Sequence, residues 1–172
     1  MVQRLPMLKV TLEPFDLRRA GGMLRRWLVQ PHVAQWWGAA DRAMRHASAS
    51  GADSHALIAV DGTPVGYLCW RRLTTDELQA ADLADLAGGL VDIDILIGAP
   101  GLLGQGVGSR ALELLLARLR GGRAAAHAGV GTSASNARAI RCFEKAGFRL
   151  HRDFQDAEWG PVKYLVIDVH PS

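Results

Sequence analysis

Two short segments of the sequence carry residue types that can do chemistry. The first is the glycine-rich stretch Leu103-Gly-Gln-Gly-Val-Gly108, which precedes a helical pattern that begins at Ser109. Alternate glycines let the backbone approach a ligand closely, and the following helix directs its N–H groups and positive end at the loop. The segment therefore predicts a phosphate or pyrophosphate site, with a plain glycine-rich turn as the alternative.

The spacing of this loop narrows the choice of ligand. A P-loop needs Gly-Lys-Ser or Gly-Lys-Thr, whereas Gly106 is followed by Val107-Gly108-Ser109. A dinucleotide site needs the pattern G-x-G-x-x-G and an acidic residue at the end of a second strand, and residues 124–130 contain none. The pyrophosphate of coenzyme A (CoA) remains the best candidate.

The second segment is Val91-Asp-Ile-Asp-Ile-Leu-Ile97, whose alternation predicts a strand with Asp92, Asp94 and Leu96 on one face. A carboxylate beside a protonated amine can bind the cation and accept or relay its proton. Two neighbouring carboxylates raise the pKa of one of them, which suits base chemistry near neutral pH. We expect Asp94 to serve as the base and Asp92 as its helper, with the anchoring of a loop as the alternative.

Periodicity along the chain predicts the elements that position these segments. Helices are expected from an Asp16 cap to Pro31, from Asp41 to Ser50, from a capping box at Thr74–Glu77 to about Gly88-Gly89, from Ser109 to Arg120, and from an Asn136 cap to Gly147. Strands are expected at 7–13, at 56–60 and 65–70 around an Asp61-Gly62 turn, and at 91–97, 124–130, 148–154 and 162–169. This order indicates one domain over residues 1–172, a mixed α/β (α+β) sheet flanked by helices.

Length and composition favour a globular protein that needs neither disulfide bonds nor a structural metal to be stable. The chain has 172 residues, of which 49% are hydrophobic, enough for a core. Cys69 and Cys142 have no metal-ligand spacing and are expected to be buried free thiols. The six histidines show no metal or triad spacing, which indicates structural or surface roles. Free thiols predict a reducing, cytoplasmic setting. No apolar run reaches the roughly 18 residues of a membrane span, and no secretory signal is recognised, so no membrane contact is expected.

The distribution of charge points to a cationic substrate. The net charge is +3 and the pI about 9.2, which by itself could suggest nucleic acid. From Leu73 to Ser109, however, there is no Lys or Arg, while six acidic residues fall there: Asp76, Glu77, Asp82, Asp85, Asp92 and Asp94. Such a stretch favours a polyamine or aminated sugar over a phosphate backbone, with a solvated acidic helix as the alternative.

Two sequence blocks together resemble a known superfamily. The loop after the 91–97 strand is followed about 30 residues later by Asn136-Ala-Arg-Ala-Ile-Arg-Cys-Phe-Glu-Lys-Ala-Gly-Phe148. This arrangement is identified as that of the GCN5-related N-acetyltransferase (GNAT) superfamily. Four segments are similar to aminoglycoside 6′-N-acetyltransferases: the two blocks, His32-Val-Ala-Gln-Trp-Trp-Gly38 and Pro64-Val-Gly-Tyr67. The resemblance therefore covers most of residues 32–148.

The resemblance implies a fold, a cosubstrate and site residues. It implies a central mixed sheet of about seven strands, acetyl-CoA as cosubstrate, no metal, and acetyl transfer to the 6′-amine of an aminoglycoside. The Asp94 strand would splay from its neighbour and pair with the pantetheine arm. The residues implied to bind the cofactor are Leu96, Ile97, Leu103, Gly104, Gln105, Gly106, Val107, Gly108, Ser109, Asn136 and Phe143. Those assigned to the substrate are Trp36, Trp37, Asp76, Asp92 and Asp94.

One departure from the family and several alternatives stay open. The superfamily often carries Tyr where this chain has Phe143, and that Tyr is the usual acid for the CoA thiolate. Phe cannot donate a proton, so water or another hydroxyl would serve, or the thiolate would leave unprotonated. Other amines are alternative substrates: a siderophore hydroxylysine side chain, a polyamine or a protein N-terminus. A non-catalytic CoA-binding module is the remaining alternative, and either a monomer or a homodimer would fit.

Overall fold

One mixed sheet organises the protein. The computed structural model describes residues 8–49, 54–86, 88–122 and 125–170. Its strands are β1 (Val10–Pro14), β2 (His55–Val60), β3 (Thr63–Arg72), β4 (Leu90–Ile97), β5 (His127–Ser133), β6 (Arg149–Asp156) and β7 (Gly160–Asp168). They lie in the order β1-β2-β3-β4-β5-β7-β6. Of these neighbouring pairs, β4 and β5 alone run parallel. The predicted seven-stranded mixed sheet is confirmed.

Helices cover both faces of this sheet. They are α1 (Leu17–Leu28), α2 (Pro31–Trp37), α3 (Ala40–Ala49), α4 (Thr75–Ala80), α5 (Val107–Gly121) and α6 (Ala137–Lys145). The apolar faces of α5 and α6 pack on one side of the sheet against residues such as Ile58, Ile93 and Val130. The helices α1, α2 and α3 pack on the other side against Tyr67 and Leu96. Both faces of β4 are therefore buried over most of its length.

Local signals in the sequence set several of these boundaries. Asp16 accepts hydrogen bonds from the N–H groups of Arg18 and Arg19, and thereby caps α1. The capping box that joins Thr74 to Glu77 is present at the start of α4. Asn136 caps α6 by accepting from the N–H of Ala139 at 3.2 Å. These three predicted helix starts are confirmed.

Several predicted boundaries were wrong. Pro31 begins α2, a helix that the sequence did not predict, because proline fits the first turn of a helix. The helix that begins after Thr74 ends at Ala80 and does not reach the glycine pair, since Asp82 adopts a left-handed φ of 56°. The predicted strand at 124–130 lies three residues further on, at His127–Ser133. Predictions for Met7, Ser50 and Ala124 fall outside the described residues.

The parallel pair in the middle of the sheet separates. Cα pairing between β4 and β5 runs from Leu90 with His127 to Asp92 with Gly129 and then ends. Both strands continue, to Ile97 and Ser133 respectively. Beyond Asp92 the edge of β4 that faces β5 therefore borders a gap, as the resemblance implied.

Candidate active site

A groove of about 570 Å³ occupies the gap between β4 and β5. Its walls come from the end of β4, the glycine-rich loop, the start of α5, the α6 helix and one side of α2. The predicted cofactor residues that line it are Leu96, Ile97, Leu103, Gly104, Gly106, Val107, Gly108, Ser109, Asn136 and Phe143. Gln105 does not line it, because its side chain is exposed and turns back to donate to the carbonyl of Gly101 at 2.6 Å.

The glycine-rich loop has the geometry of an anion cradle. Gly104 and Gly106 have φ values of 75° and 81°, a region that favours glycine. Gly106 immediately precedes α5, and Val107 and Gly108 belong to its first turn, so their N–H groups face the groove without helical partners. At Gly108 a Cβ atom would lie 2.8 Å from the sulfur of Cys142, so the third glycine serves the close packing of α5 on α6.

Basic side chains from α6 add positive charge beside this cradle. Arg138, Arg141 and Lys145 line the same groove. The Lys145 amine lies 3.2 Å from the position that a Cβ atom of Gly106 would take. Sequence reasoning did not single out these three residues, although their spacing along α6 places them near one face of the helix. A pyrophosphate and a further phosphate fit this donor set.

The exposed edge of β4 offers backbone groups to the groove. Gly98 donates its N–H to the carbonyl of Val65 at 2.7 Å, and the β3–β4 register is regular. Strand alternation therefore directs the backbone of Leu96 to β3 and that of Ile95 and Ile97 to the gap. His32 donates to the Ile97 carbonyl at 3.0 Å. The N–H of Ile97 is thus placed for a ligand, whereas that of Leu96 is directed at β3.

A second cavity of about 450 Å³ adjoins the groove across α2. Its aromatic walls are Trp36, Trp37, Tyr67 and Trp159, and its charged or titratable lining residues include Arg42, His46 and Asp94. Gln35 and Trp36 border both cavities. Trp36 and Trp37 were both assigned to the substrate, and the structure places both on this cavity.

Asp94 lies in this second cavity, and its surroundings raise its pKa. Solvent reaches its side chain. Even so, desolvation by the surrounding protein raises its pKa to about 7, the charge of Asp92 raises it further, and Arg71 opposes the rise. Asp94 is the one carboxylate among the described residues that line the cavity. A group of this kind can exchange a proton near neutral pH.

Asp92, two residues before Asp94 on β4, raises the pKa of Asp94 through its charge. Its carboxylate accepts a 2.7 Å hydrogen bond from the hydroxyl of Tyr164. The ring of Tyr164 crosses β5 where Gly129 has no side chain, since a Cβ atom there would lie 2.3 Å from the Tyr164 oxygen. Burial raises the pKa of Asp92, and the hydrogen bond from Tyr164 opposes that rise. Asp92 does not line the cavity, so its predicted contact with substrate is not supported.

The acidic stretch around α4 lies apart from both cavities. Asp76 sits in the first turn of α4 and lines neither of them. Glu77 pairs with Arg71 at 2.7 Å, Asp82 pairs with Arg152, and Asp85 pairs with His151 and Arg152. Three of the six acidic residues, Glu77, Asp82 and Asp85, therefore have basic partners within the protein. The structure gives Asp76 no place beside a bound substrate, and we leave it out of the site.

The corner formed by α2 and α3 is tied to the turn between β6 and β7. Arg42 forms two hydrogen bonds with the carboxylate of Glu158, at 2.7 and 2.9 Å, and lies 5.4 Å above the ring of Trp159. Trp159 packs closely on Gly38, where a Cβ atom would approach within 2.7 Å of the ring. These contacts fix one wall of the second cavity. Sequence reasoning missed Arg42, His46 and Trp159, which carry no local motif.

A sheet that opens between two parallel strands, with an anion cradle at the mouth and a carboxylate in the adjoining cavity, defines an acyl-CoA-dependent transferase. Comparison with known sequences agrees. The family described as Acetyltransferase (GNAT) domain matches residues 16–156. The chain therefore belongs to the GNAT acetyltransferase family, and the predicted family, enzyme class and cosubstrate are confirmed.

Individual relatives are aminoglycoside enzymes. The aminoglycoside N(6′)-acetyltransferase type 1 of Klebsiella pneumoniae is 28% identical over 155 residues, which cover 84% of this chain and 76% of the relative. The structure of aminoglycoside acetyltransferase AAC(6′)-Ib with ribostamycin and CoA is 26% identical, covers 93% of each chain and has a TM-score of 0.76. An aminoglycoside N(6′)-acetyltransferase of Legionella pneumophila, 19% identical with a TM-score of 0.73, shares the fold; it covers 93% of this chain and 92% of its own. Among the described helices, none is long and apolar enough to cross a membrane.

Proposed function

We propose that the chain transfers the acetyl group of acetyl-CoA to a primary amine of an aminoglycoside, at the 6′ position. The observation that carries this proposal is the junction of the two cavities. The groove with the anion cradle and the cavity with Asp94 meet at Gln35 and Trp36. A thioester held in the groove and an amine held beside Asp94 would thus face each other across a shared wall.

Residues of the groove hold the donor. The N–H groups at Val107 and Gly108 face the pyrophosphate, and Arg138, Arg141 and Lys145 add charge. Bound there, acetyl-CoA supplies an electrophilic carbonyl carbon and a thiolate leaving group. The N–H of Ile97, directed into the gap, is positioned to donate to the developing oxyanion. Backbone donors of this kind typically contribute about 10²- to 10³-fold to the rate.

Asp94 prepares the amine. Its carboxylate attracts the ammonium group into a cavity with aromatic walls, where the faces of Trp36 and Trp37 add cation–π stabilisation. Because desolvation raises the pKa of Asp94 to about 7, the carboxylate can also accept a proton from the ammonium group near neutral pH. Phe143 lines the groove but has no proton to give, so the thiolate leaves without help from that position.

A specific observation favours a second candidate function. The cavity is lined by three tryptophans, one carboxylate and the basic residue Arg42, while Glu77 and Asp82 of the acidic stretch have basic partners elsewhere. This lining also suits an amine with one cationic centre and an apolar body, such as a hydroxylysine side chain or a protein N-terminus. A cytoplasmic location with either substrate agrees with the free thiols of Cys69 and Cys142.

A turnover assay separates these functions. Release of the CoA thiol would be followed with a thiol reagent over a panel of aminoglycosides, polyamines and peptides. We expect turnover with kanamycin and ribostamycin, and nuclear magnetic resonance of the product should place the acetyl group on the 6′ nitrogen. Turnover with peptides or single amines alone would favour the second candidate. CoA binding without turnover of any amine would identify a non-catalytic module and contradict the proposal.

A further inference from the structure

The floor of the second cavity brings together side chains from three elements. One ring nitrogen of His46, the sulfur of Cys69 and a carboxylate oxygen of Asp94 all lie within 4.8 Å of one another. His46 comes from the last turn of α3, and Cys69 is the cross-strand partner of Asp94 on β3. Cys69 is buried, whereas solvent reaches His46 and Asp94. His46 and Asp94 therefore lie close enough for a proton to pass between them directly or through one bridging water molecule.

The residues around Asp94 differ in their ability to take up a proton. Burial raises the pKa of the Cys69 thiol to about 12, so it keeps its proton near neutral pH. Burial also raises the pKa of the Tyr67 hydroxyl, which stays protonated as well. Arg42 is a permanent cation held by Glu158. Among the described residues that line the cavity, His46 carries the one imidazole, and an unprotonated ring nitrogen can accept a proton.

Charged and titratable groups surround His46 on three sides. From β4 the carboxylate of Asp94 faces it, and the more distant Asp92 is close enough for the charge of His46 to lower the pKa of Asp92. From β3 it meets Cys69 and the Tyr67 side of the cavity, both neutral. The like charges on its own helix are Arg42, whose guanidinium is bound to Glu158, and Arg45, which is exposed to solvent. The end of α3 adds the partial negative charge of a helix C-terminus.

We propose that His46 takes the substrate proton from Asp94 and releases it to solvent. The ammonium group gives one proton to the Asp94 carboxylate and becomes a free amine. The Asp94 carboxyl passes that proton to the ring nitrogen of His46, and the resulting imidazolium loses it to water. The amine nitrogen then bonds to the acetyl carbon, the C–S bond breaks, and the second amine proton leaves by the same path. This role rests on the proposed function, in which Asp94 receives the amine.

The test replaces His46 with a side chain that cannot carry a proton. His46→Gln keeps the size and hydrogen-bonding capacity of the ring, and Arg45→Gln, an exposed position on the same helix that lines neither cavity, is the matched control. With kanamycin as substrate, we expect kcat of His46→Gln to fall about 10- to 100-fold while KM changes less than about threefold. Most of the loss should disappear at high pH, where free amine is abundant. Arg45→Gln should match the wild type.

Chemical rescue separates proton transfer from a structural role. Added imidazole should restore part of kcat to His46→Ala and should not affect Asp94→Asn. If the wild type acetylates kanamycin and His46→Gln has the same kcat from pH 6 to 9, the inference is overturned. The proposed function would still stand in that case. A loss of kcat that imidazole does not restore and that persists at high pH would also overturn it. A wild type that turns over no amine would overturn the proposed function, and this role with it.

Discussion

Replacing Asp94 with Asn tests the central assignment through the pH dependence of the rate. With a pKa of about 7, roughly one tenth of Asp94 is ionised at pH 6 and roughly nine tenths at pH 8. In the wild type, kcat/KM should therefore rise about tenfold per pH unit below pH 7 and level off above it. Asp94→Asn should remove this limb and lower kcat/KM at pH 8 by about 10²- to 10⁴-fold.

The same variant has a second readout in protein stability. A carboxyl group whose pKa is raised in the folded state destabilises the fold as pH rises from about 4, and the cost is complete above about pH 7. Taken whole, a shift of this size would cost about 4 kcal/mol, but solvent reaches Asp94, so we expect about 1–2 kcal/mol. Asp94→Asn should thus raise Tm by about 2–8 °C at pH 8 and leave it unchanged at pH 4.

Stopped assays from pH 5.5 to 9 and thermal melts at pH 4 and pH 8 measure both effects. Asp76→Asn is the matched control, since it removes a carboxylate of the acidic stretch that lines neither cavity. It should leave kcat/KM within about twofold and the pH limb in place. If Asp94→Asn kept wild-type kcat/KM from pH 6 to 9, the assignment of Asp94 as proton acceptor would be refuted.

Three further variants test the groove and the Asp94 environment. Phe143→Tyr should leave kcat within about threefold, because a thiol with a pKa near 8.5 can leave as a thiolate; a tenfold gain would show that a missing acid limits the rate. Gly106→Ala places a side chain on a residue with a φ of 81°, which strains the loop. It should raise KM for acetyl-CoA about fivefold and leave KM for the amine unchanged. A KM for acetyl-CoA equal to that of the wild type would show that the loop does not hold acetyl-CoA. Tyr164→Phe removes a hydrogen bond that lowers the pKa of Asp92, so Asp92 stays protonated and the pH limb of Asp94 should move to lower pH. An unmoved limb would show that the two carboxylates do not interact.

The groove between β4 and β5 could be predicted from the sequence because its signals are local. Alternate glycines between a strand and a helix indicate an anion cradle within a few residues of chain, and the Asn136 cap marks the start of α6 equally directly. The alternation of β4 placed Asp94 and Leu96 on one face, and the core clusters confirm it. Backbone direction is less visible in a sequence, and for this reason Leu96 and Ile97 were not distinguished.

The second cavity could not be predicted, because its walls come from distant parts of the chain. His46, Asp94 and Trp159 meet only when α3, β4 and the β6–β7 turn are packed together. No spacing rule connects them. The wrong prediction that Asp76 contacts the substrate has a related cause. A run of acidic residues forms a binding surface for a cation only if those residues are not already paired with basic side chains of the same protein. Here Arg152, about 70 residues away in the chain, forms ion pairs with Asp82 and Asp85.

The groove and the second cavity share few lining residues, so the choice of acetyl acceptor and the binding of the acetyl donor can change independently. The groove is built chiefly by residues 95–145, whereas the second cavity takes much of its wall from residues 35–46 and Trp159. Among the described lining residues, Gln35 and Trp36 belong to both. Substitutions in α3 or the β6–β7 turn can change the acceptor while the acetyl donor is retained. Directed evolution towards new amines should therefore accumulate changes in those two regions and spare Gln35 and Trp36.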